Sequence, residues 1–438
     1  MTGSLLGLVV GGLGLGCLRL SPYACRTDTD CDRTGMQGRC LDDGACAYPD
    51  ADDRCEGDWV RSPNAAVDPG GCVPPDSSGS PTEGSGTHSA SGPEPTGAPP
   101  TCGTMAPLEI NTAFLSTSEV LEGYPLLLSI ESAAIVDGIA ASGSDPVVVG
   151  PDGGSLASEL EVLDPITDTL TMWVRLPSYP LDEPLPIELR WGTGALPGAA
   201  AEVWADHYVG VWHLGDALSG VDGDELRNSV SVAEPGRTSG QMQPEQSVIG
   251  VVGRGLQFDG DDDIVTIDAQ FVGQLDSYSV SFWVRYDGPA DGPGDYFQRL
   301  NGDYFYPRCW RLAESIVFCQ YSLDEMTAGI GNGFPQDVGQ LLHLALVRDA
   351  EAATHRLYID GEPIAQNEDP PGATLPDDGH AFELGHGELG TLPGMLDEVR
   401  VADQPLPASW VRADARTQLQ PAAALAGVGE PVPIPCSG

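Results

Sequence analysis

At 438 residues and 41% hydrophobic content, the chain is long enough for two or three domains with real cores. It carries 65 acidic residues against 20 basic ones, every basic residue an arginine, for a formal net charge of −45. Such acidity repels phosphate-bearing surfaces, so nucleic acid and electrostatic attachment to an anionic membrane are disfavoured, whereas Asp clusters could attract calcium.

Residues 1–17 read as an export segment. Ser4 to Gly16 form an uncharged run too short for a membrane span but of the length of a signal-peptide core. Gly16 directly before Cys17 resembles a bacterial lipobox, and that resemblance implies lipidation of Cys17 after cleavage. The expected location is therefore outside the cytoplasm, as an outer-membrane or cell-surface lipoprotein or a secreted protein. Attachment to a membrane would run only through that lipid anchor.

Residues 18–72 hold Cys25, Cys31, Cys40, Cys46, Cys55 and Cys72 among Asp, Gly and Pro, with few apolar side chains. A segment so poor in core material needs covalent staples, and three local disulfides are expected, with their connectivity open. Zinc is the weaker alternative, because no C-x-x-C knuckle occurs. Residues 73–101 are Pro, Ser, Gly, Thr and Glu; they have no apolar face to offset ordering entropy and read as a flexible linker.

From Cys102 onward the pattern is all-β, and two β-sandwich domains are expected, at 102–206 and 207–418, before a tail at 419–438. Short runs rich in Val, Leu, Ile, Trp and Tyr recur between turn residues: Tyr124 to Ile130, Leu170 to Leu176, Ile187 to Trp191, Ser277 to Tyr286, Leu341 to Arg348 and His355 to Ile359. Asp360-Gly361 after the last of these is a hairpin-turn signature. Helical periodicity is nearly absent, the best candidate being Pro407 to Arg416. Cys309 and Cys319 fall in two short strands joined through Ala313 to Ser315, where opposite positions bring Cβ atoms within disulfide reach. Elimination leaves Cys102 and Cys436, which would close the body end to end; the alternative is that Cys102 pairs within the head and leaves Cys436 free.

Gly255 to Gly260 (GLQFDG), DDDIVTI, SYSVSFWVR, HLALVRD with RLYIDGEPI, and GMLDEVRV at Gly394 to Val401 follow in the order of the landmarks of bacterial laminin-G-like domains. The stretch resembles that family, which implies a concanavalin-A-like jelly roll. Upstream, Met172 to Pro177 (MWVRLP), Ile187 to Gly192 (IELRWG), and Val203-Trp204 with Val209 to Leu214 (VGVWHL) resemble the domain of unknown function 2341, a module that commonly precedes such a domain in bacterial surface proteins.

The jelly-roll resemblance raises glucanase chemistry, which needs carboxylates spaced Glu-x-Asp-x-x-Glu on one strand. Glu159, Glu161 and Asp164 come nearest, in another order and in the other domain. No Gly-x-Ser-x-Gly turn and no His pair at metal-ligand spacing occurs, and His213 beside Trp212 reads as packing. A non-catalytic protein is expected. Asp259, Asp261, Asp262 and Asp263 crowd a strand entrance, and sandwiches of this type commonly return their last strand, here with Asp397 and Glu398, beside the first ones. A structural calcium held by Asp259, Asp261, Asp263 and Asp397 is one reading. The other is a solvated turn, with Asp397 paired to Arg400 or capping backbone amides. Tyr296, Tyr304 and Tyr306, with Phe297 and Phe305, are expected as exposed stacking surfaces for an extracellular glycan or protein. If they instead pack under a long loop, the chain is a structural component of the envelope.

Overall fold

The computed structural model describes residues 101–436, apart from 116–118, 180–184, 195–196, 231–233, 269–274, 290–291, 302–303, 313–315, 324–325, 370–380 and 388–389, together with three strands near the N-terminus. The chain divides into two compact units, Met1–Thr96 and Gly97–Gly438. In the first, strands Arg39–Cys40, Cys46–Pro49 and Trp59–Arg61 form an antiparallel sheet with Cys40 opposite Cys46. The export segment with Cys17, the linker and the side chains of Cys25, Cys31, Cys40, Cys46, Cys55 and Cys72 lie outside the described residues.

The second unit is all-β, as its alternating and continuous apolar runs require. Its N-terminal layers are a five-stranded sheet built on Thr101–Ile110 and Leu185–Trp191, and a three-stranded sheet of Leu121–Glu131, Thr169–Tyr179 and Ser158–Asp164. Leu126, Leu127 and Leu128 are all fully buried. A strand with core on both faces has no polar side to alternate with, which is why its sequence is a continuous apolar run. The second cover comes from the helix Ala408–Leu419, whose Trp410 ring packs edge-on to Tyr124 at 5.1 Å. The helix Ala133–Ser142, absent from the expected elements, starts at Ser132, which caps Ile135, and stops at Gly143 in the left-handed region.

The jelly roll consists of two eight-stranded antiparallel sheets. At the centre of one, Pro393–Ala402 pairs with Arg254–Asp259, Tyr278–Tyr286 and Tyr208–Trp212, and Tyr278–Tyr286 pairs onward with Leu341–Asp349. The landmark segments of the sequence thus share this sheet, except Ile264–Ile267, which belongs to the other one. Asp360 and Gly361 both take positive φ in a tight turn between Thr354–Ile359 and Glu362–Glu368. One hydrophobic core fills the jelly roll. A second joins the N-terminal layers to that domain through Val211, Val252, Ala345, Val347, Tyr358 and Ala402. The expected tail is not one: Leu425–Val428 and Val432–Pro435 pair with Thr101–Ile110.

Candidate functional site

Both disulfides of the body are formed. Cys309 faces Cys319 across adjacent strands and is bonded to it, and Cys102 is bonded to Cys436 with Cα atoms 4.9 Å apart.

The acidic turn after Arg254–Asp259 is a folded structure. The Asp259 carboxylate accepts the Asp261 amide at 2.8 Å, and the buried Asp263 carboxylate accepts the Asp259 amide at 2.8 Å and the Gln246 side-chain amide. Burial, with Asp259 close by, pushes the Asp263 carboxyl up to about 6. Carboxylate oxygens of Asp259, Asp262 and Asp263 lie within 4.8 Å of one another, and no other described residues bring three such ligands together. Asp261 is not one of these three; with Asp262, Ile264, His386, Gly390 and Thr391 it lines a cleft of about 360 Å³. His386 bonds the Glu383 carboxylate at 3.1 Å, and Gln298 donates to the same oxygen at 2.9 Å. A row of donors and acceptors therefore runs from the acidic turn onto the second sheet.

Asp397 does not join this group. The last strand does return beside Arg254–Asp259, but the register sets Pro393 opposite Asp259. Four residues further on, at about 3.3 Å each, Asp397 is displaced by roughly 13 Å along the strand. Its Oδ2 accepts the amides of Val251 and Val252 at 2.6 and 3.1 Å. Burial, and then Glu398 beside it, raise its pKa well above the carboxylate range.

Tyr296 is not an exposed stacking surface either. It is fully buried in the jelly-roll core, donating to Gln336, and Phe297 packs beside it. The alternation of an inward-facing strand places it there. Tyr304 and Tyr306 sit in the strand Tyr304–Leu312, with side chains outside the described residues.

A second polar site lies where Ser158–Asp164 meets the jelly roll. His213 is buried there, stacked on Trp173. Its Nδ1 is 2.6 Å from Glu398 Oε1 and 4.0 Å from Glu161 Oε2, and its Nε2 is 3.5 Å from Glu159 Oε2. Glu159 accepts from Trp204 Nε1 and Ser229 Oγ, each at 2.7 Å. Burial alone would raise Glu159, yet His213 and these donors hold it at about 2. Burial lifts Glu161, which has no such donors, to about 7. Burial likewise works against charging His213, but Glu398 and Glu161 raise its pKa well above the usual value. In the sequence these groups lie far apart: Glu159 and Glu161 belong to a strand of the other domain, and only their i, i+2 spacing on a strand hints that they share a face.

Residues 258–412 match the concanavalin A-like lectin/glucanases superfamily, in its laminin G form. This laminin-G-type stretch lies inside the 207–418 region and covers less than half of the chain. No curated protein matches the chain in sequence. Among solved structures, the chain is similar to the botulinum neurotoxin serotype D ligand binding domain in complex with N-acetylneuraminic acid, at 10% identity and a TM-score of 0.40, covering 50% of this chain and 53% of that one. It is also similar to domain 4 of an extracellular arabinanase from Geobacillus stearothermophilus in complex with arabinotriose, at 18% identity and a TM-score of 0.37, covering 48% of this chain and 98% of that one. The binding domain of botulinum neurotoxin serotype D gives 8% identity and a TM-score of 0.39; the chain spans about half of that domain, 52%.

Proposed function

We propose that the chain is an exported, surface-displayed binding protein whose jelly roll takes a saccharide in the cleft beside Asp261 and His386, with calcium held by Asp259, Asp262 and Asp263. The observation that carries the proposal is the continuity of that cleft with the His386, Glu383 and Gln298 row, in a domain of a superfamily described by its lectins and glucanases. Carboxylate, imidazole and amide groups match the alternating donors and acceptors of sugar hydroxyls. Calcium takes six to eight oxygens, and three carboxylates leave positions for backbone carbonyls, water or the sugar itself. On this reading the chemistry is recognition without turnover. The 102–206 layers act as a module of the kind named domain of unknown function 2341, and the cysteine-stapled head and linker tether the body to a lipidated Cys17.

A glycan array probed with the full chain tests this. Expected is calcium-dependent retention of a defined glycan set, weakened at least tenfold by Asp261→Ala or His386→Ala. Retention unchanged by both substitutions removes the proposed cleft, and none with calcium present removes saccharide recognition. Tyr304→Ala and Tyr306→Ala on the same array decide whether that strand adds stacking. Millimolar calcium is expected to raise the melting temperature of the wild type and not of an Asp259→Asn, Asp262→Asn variant. Mass spectrometry of the mature N-terminus is expected to show an acylated Cys17.

A further inference from the structure

A cleft of about 510 Å³ opens between Ser158–Asp164 and the jelly roll, lined by Glu161, Asp164, His213, Asp216, Arg227 and Arg254 among others. Most of these charges are engaged. Asp164 accepts from the Ile166 amide and the Thr167 hydroxyl at 2.8 and 2.9 Å, and Asp216 accepts the Arg227 amide at 2.8 Å. Arg254 donates to Ser247 at 2.7 Å, and the Arg227 guanidinium lies 3.6 Å from Glu159.

Glu161 is the exception. Its side chain is only 10% exposed, and its buried Oε2 has no hydrogen-bond partner. The nearest cationic atom, His213 Nδ1 at 4.0 Å, is committed to Glu398 at 2.6 Å. Gly253 leaves Glu161 room, since a Cβ there would stand 3.1 Å from Glu161 Oε1. A buried carboxyl that lacks a hydrogen-bond donor and shares its nearest counter-charge with Glu398 is costly, and a cation entering the cleft would reduce that cost.

We propose that this cleft binds a primary ammonium group, carried by an amino sugar or by a lysyl side chain, with Glu161 as its counter-ion. A compact ammonium needs few acceptors, whereas a metal needs ligands converging on one point, and in the described residues only Asp259, Asp262 and Asp263 do so. The chain has no lysine, so a lysyl ammonium comes from another molecule. Two exposed isoleucines neighbour lining residues without lining the cleft themselves, Ile166 at 93% exposure two residues beyond Asp164 and Ile249 at 83% in register with Arg254. The site is independent of the saccharide cleft, so either proposal can fail alone.

Calorimetry on the full chain would use two probe pairs: Nα-acetyl-lysinamide against its Nε-acetylated form, and a glucosamine disaccharide against its N-acetylated form. Saturable binding is expected for at least one free amine, with its acetylated partner at least tenfold weaker, and the tighter amine identifies the source. Glu161→Gln is expected to weaken binding at least tenfold without lowering the melting temperature. Lysinamide affinity is expected to rise between pH 6 and 8, because the Glu161 proton, held by burial and by Glu159 and Glu398 against His213 and Arg227, competes with the ligand. Equal binding of amine and amide, indifference to Glu161→Gln, or no binding of either amine at millimolar concentration would overturn the proposal. So would Glu161-dependent binding of calcium or zinc alone.

Discussion

Arg400 shows how much one residue carries at the junction. It is fully buried, donates to Glu398 at 2.5 Å and Asp414 at 2.6 Å, and lies over the rings of Trp173 and Trp204 at 4.4 and 4.8 Å. Removing one member of such a group leaves buried charge uncompensated, so Arg400→Met is expected to cost about 3–5 kcal/mol in urea unfolding. Glu159 and Glu161 set opposite pH dependences. With its pKa lowered to about 2, Glu159 contributes stability above the usual glutamate range that is lost as pH falls toward 2. With its pKa raised to about 7, Glu161 keeps its proton where the unfolded chain has lost it, so its contribution disappears as pH rises from about 4.5 to 7. Glu161→Gln is therefore expected to flatten that window, by an effect of order 3 kcal/mol at about 1.4 kcal/mol per pH unit, when unfolding is compared at pH 5 and 7.5. The acidity of these residues was legible in the sequence; their divergence was not, because burial and His213 come from tertiary neighbours.

Among the elements, the strand Pro393–Ala402 is the most constrained, with partners along both edges. A Cβ at Gly394 would stand 2.1 Å from the carbonyl oxygen of Arg285 on the neighbouring strand. Gly394→Ala must push the two strands apart, and a loss of about 1–3 kcal/mol is expected in thermal unfolding. Strand existence was legible throughout this region, since alternation and β-branched runs fix the face each side chain takes. The hairpin at Asp360-Gly361 was legible for the same local reason, as positive φ at both positions favours that dipeptide. The helix Ala133–Ser142 is not legible from periodicity because its amphipathic pattern is weak. Its capping pair, Ser132 and Gly143, was the available signal.

At the scale of the whole body, the Cys102–Cys436 bridge spans 334 residues. It fastens Thr101–Ile110 to the returning Val432–Pro435 strand, so the first and last segments of the body stabilise each other. In the chain-entropy model a loop of this length restricts the unfolded state by about 5 kcal/mol. Replacing both cysteines with serine is expected to lower the denaturant midpoint and speed amide exchange first in these two strands, measured by hydrogen exchange with mass spectrometry. Protection in the Pro393–Ala402 strand should decline less, because its partners lie within the jelly roll.

The sequence by itself determined the main strands, the laminin-G-type order of segments and the pairing of Cys309 with Cys319, and it narrowed Cys102 to Cys436 or the head, because each depends on local pattern, on counting, or on a familiar succession of motifs. Only the tertiary structure decided where charge ends up. Register carried Asp397 away from Asp259, alternation put Tyr296 in the core, and the return of Leu425–Val428 turned an expected tail into a sheet strand. The joining of two sandwiches over one hydrophobic core brought Glu159, Glu161, His213 and Glu398 together from three distant segments. Electrostatic energy depends on distance and burial, and neither is written in residue order.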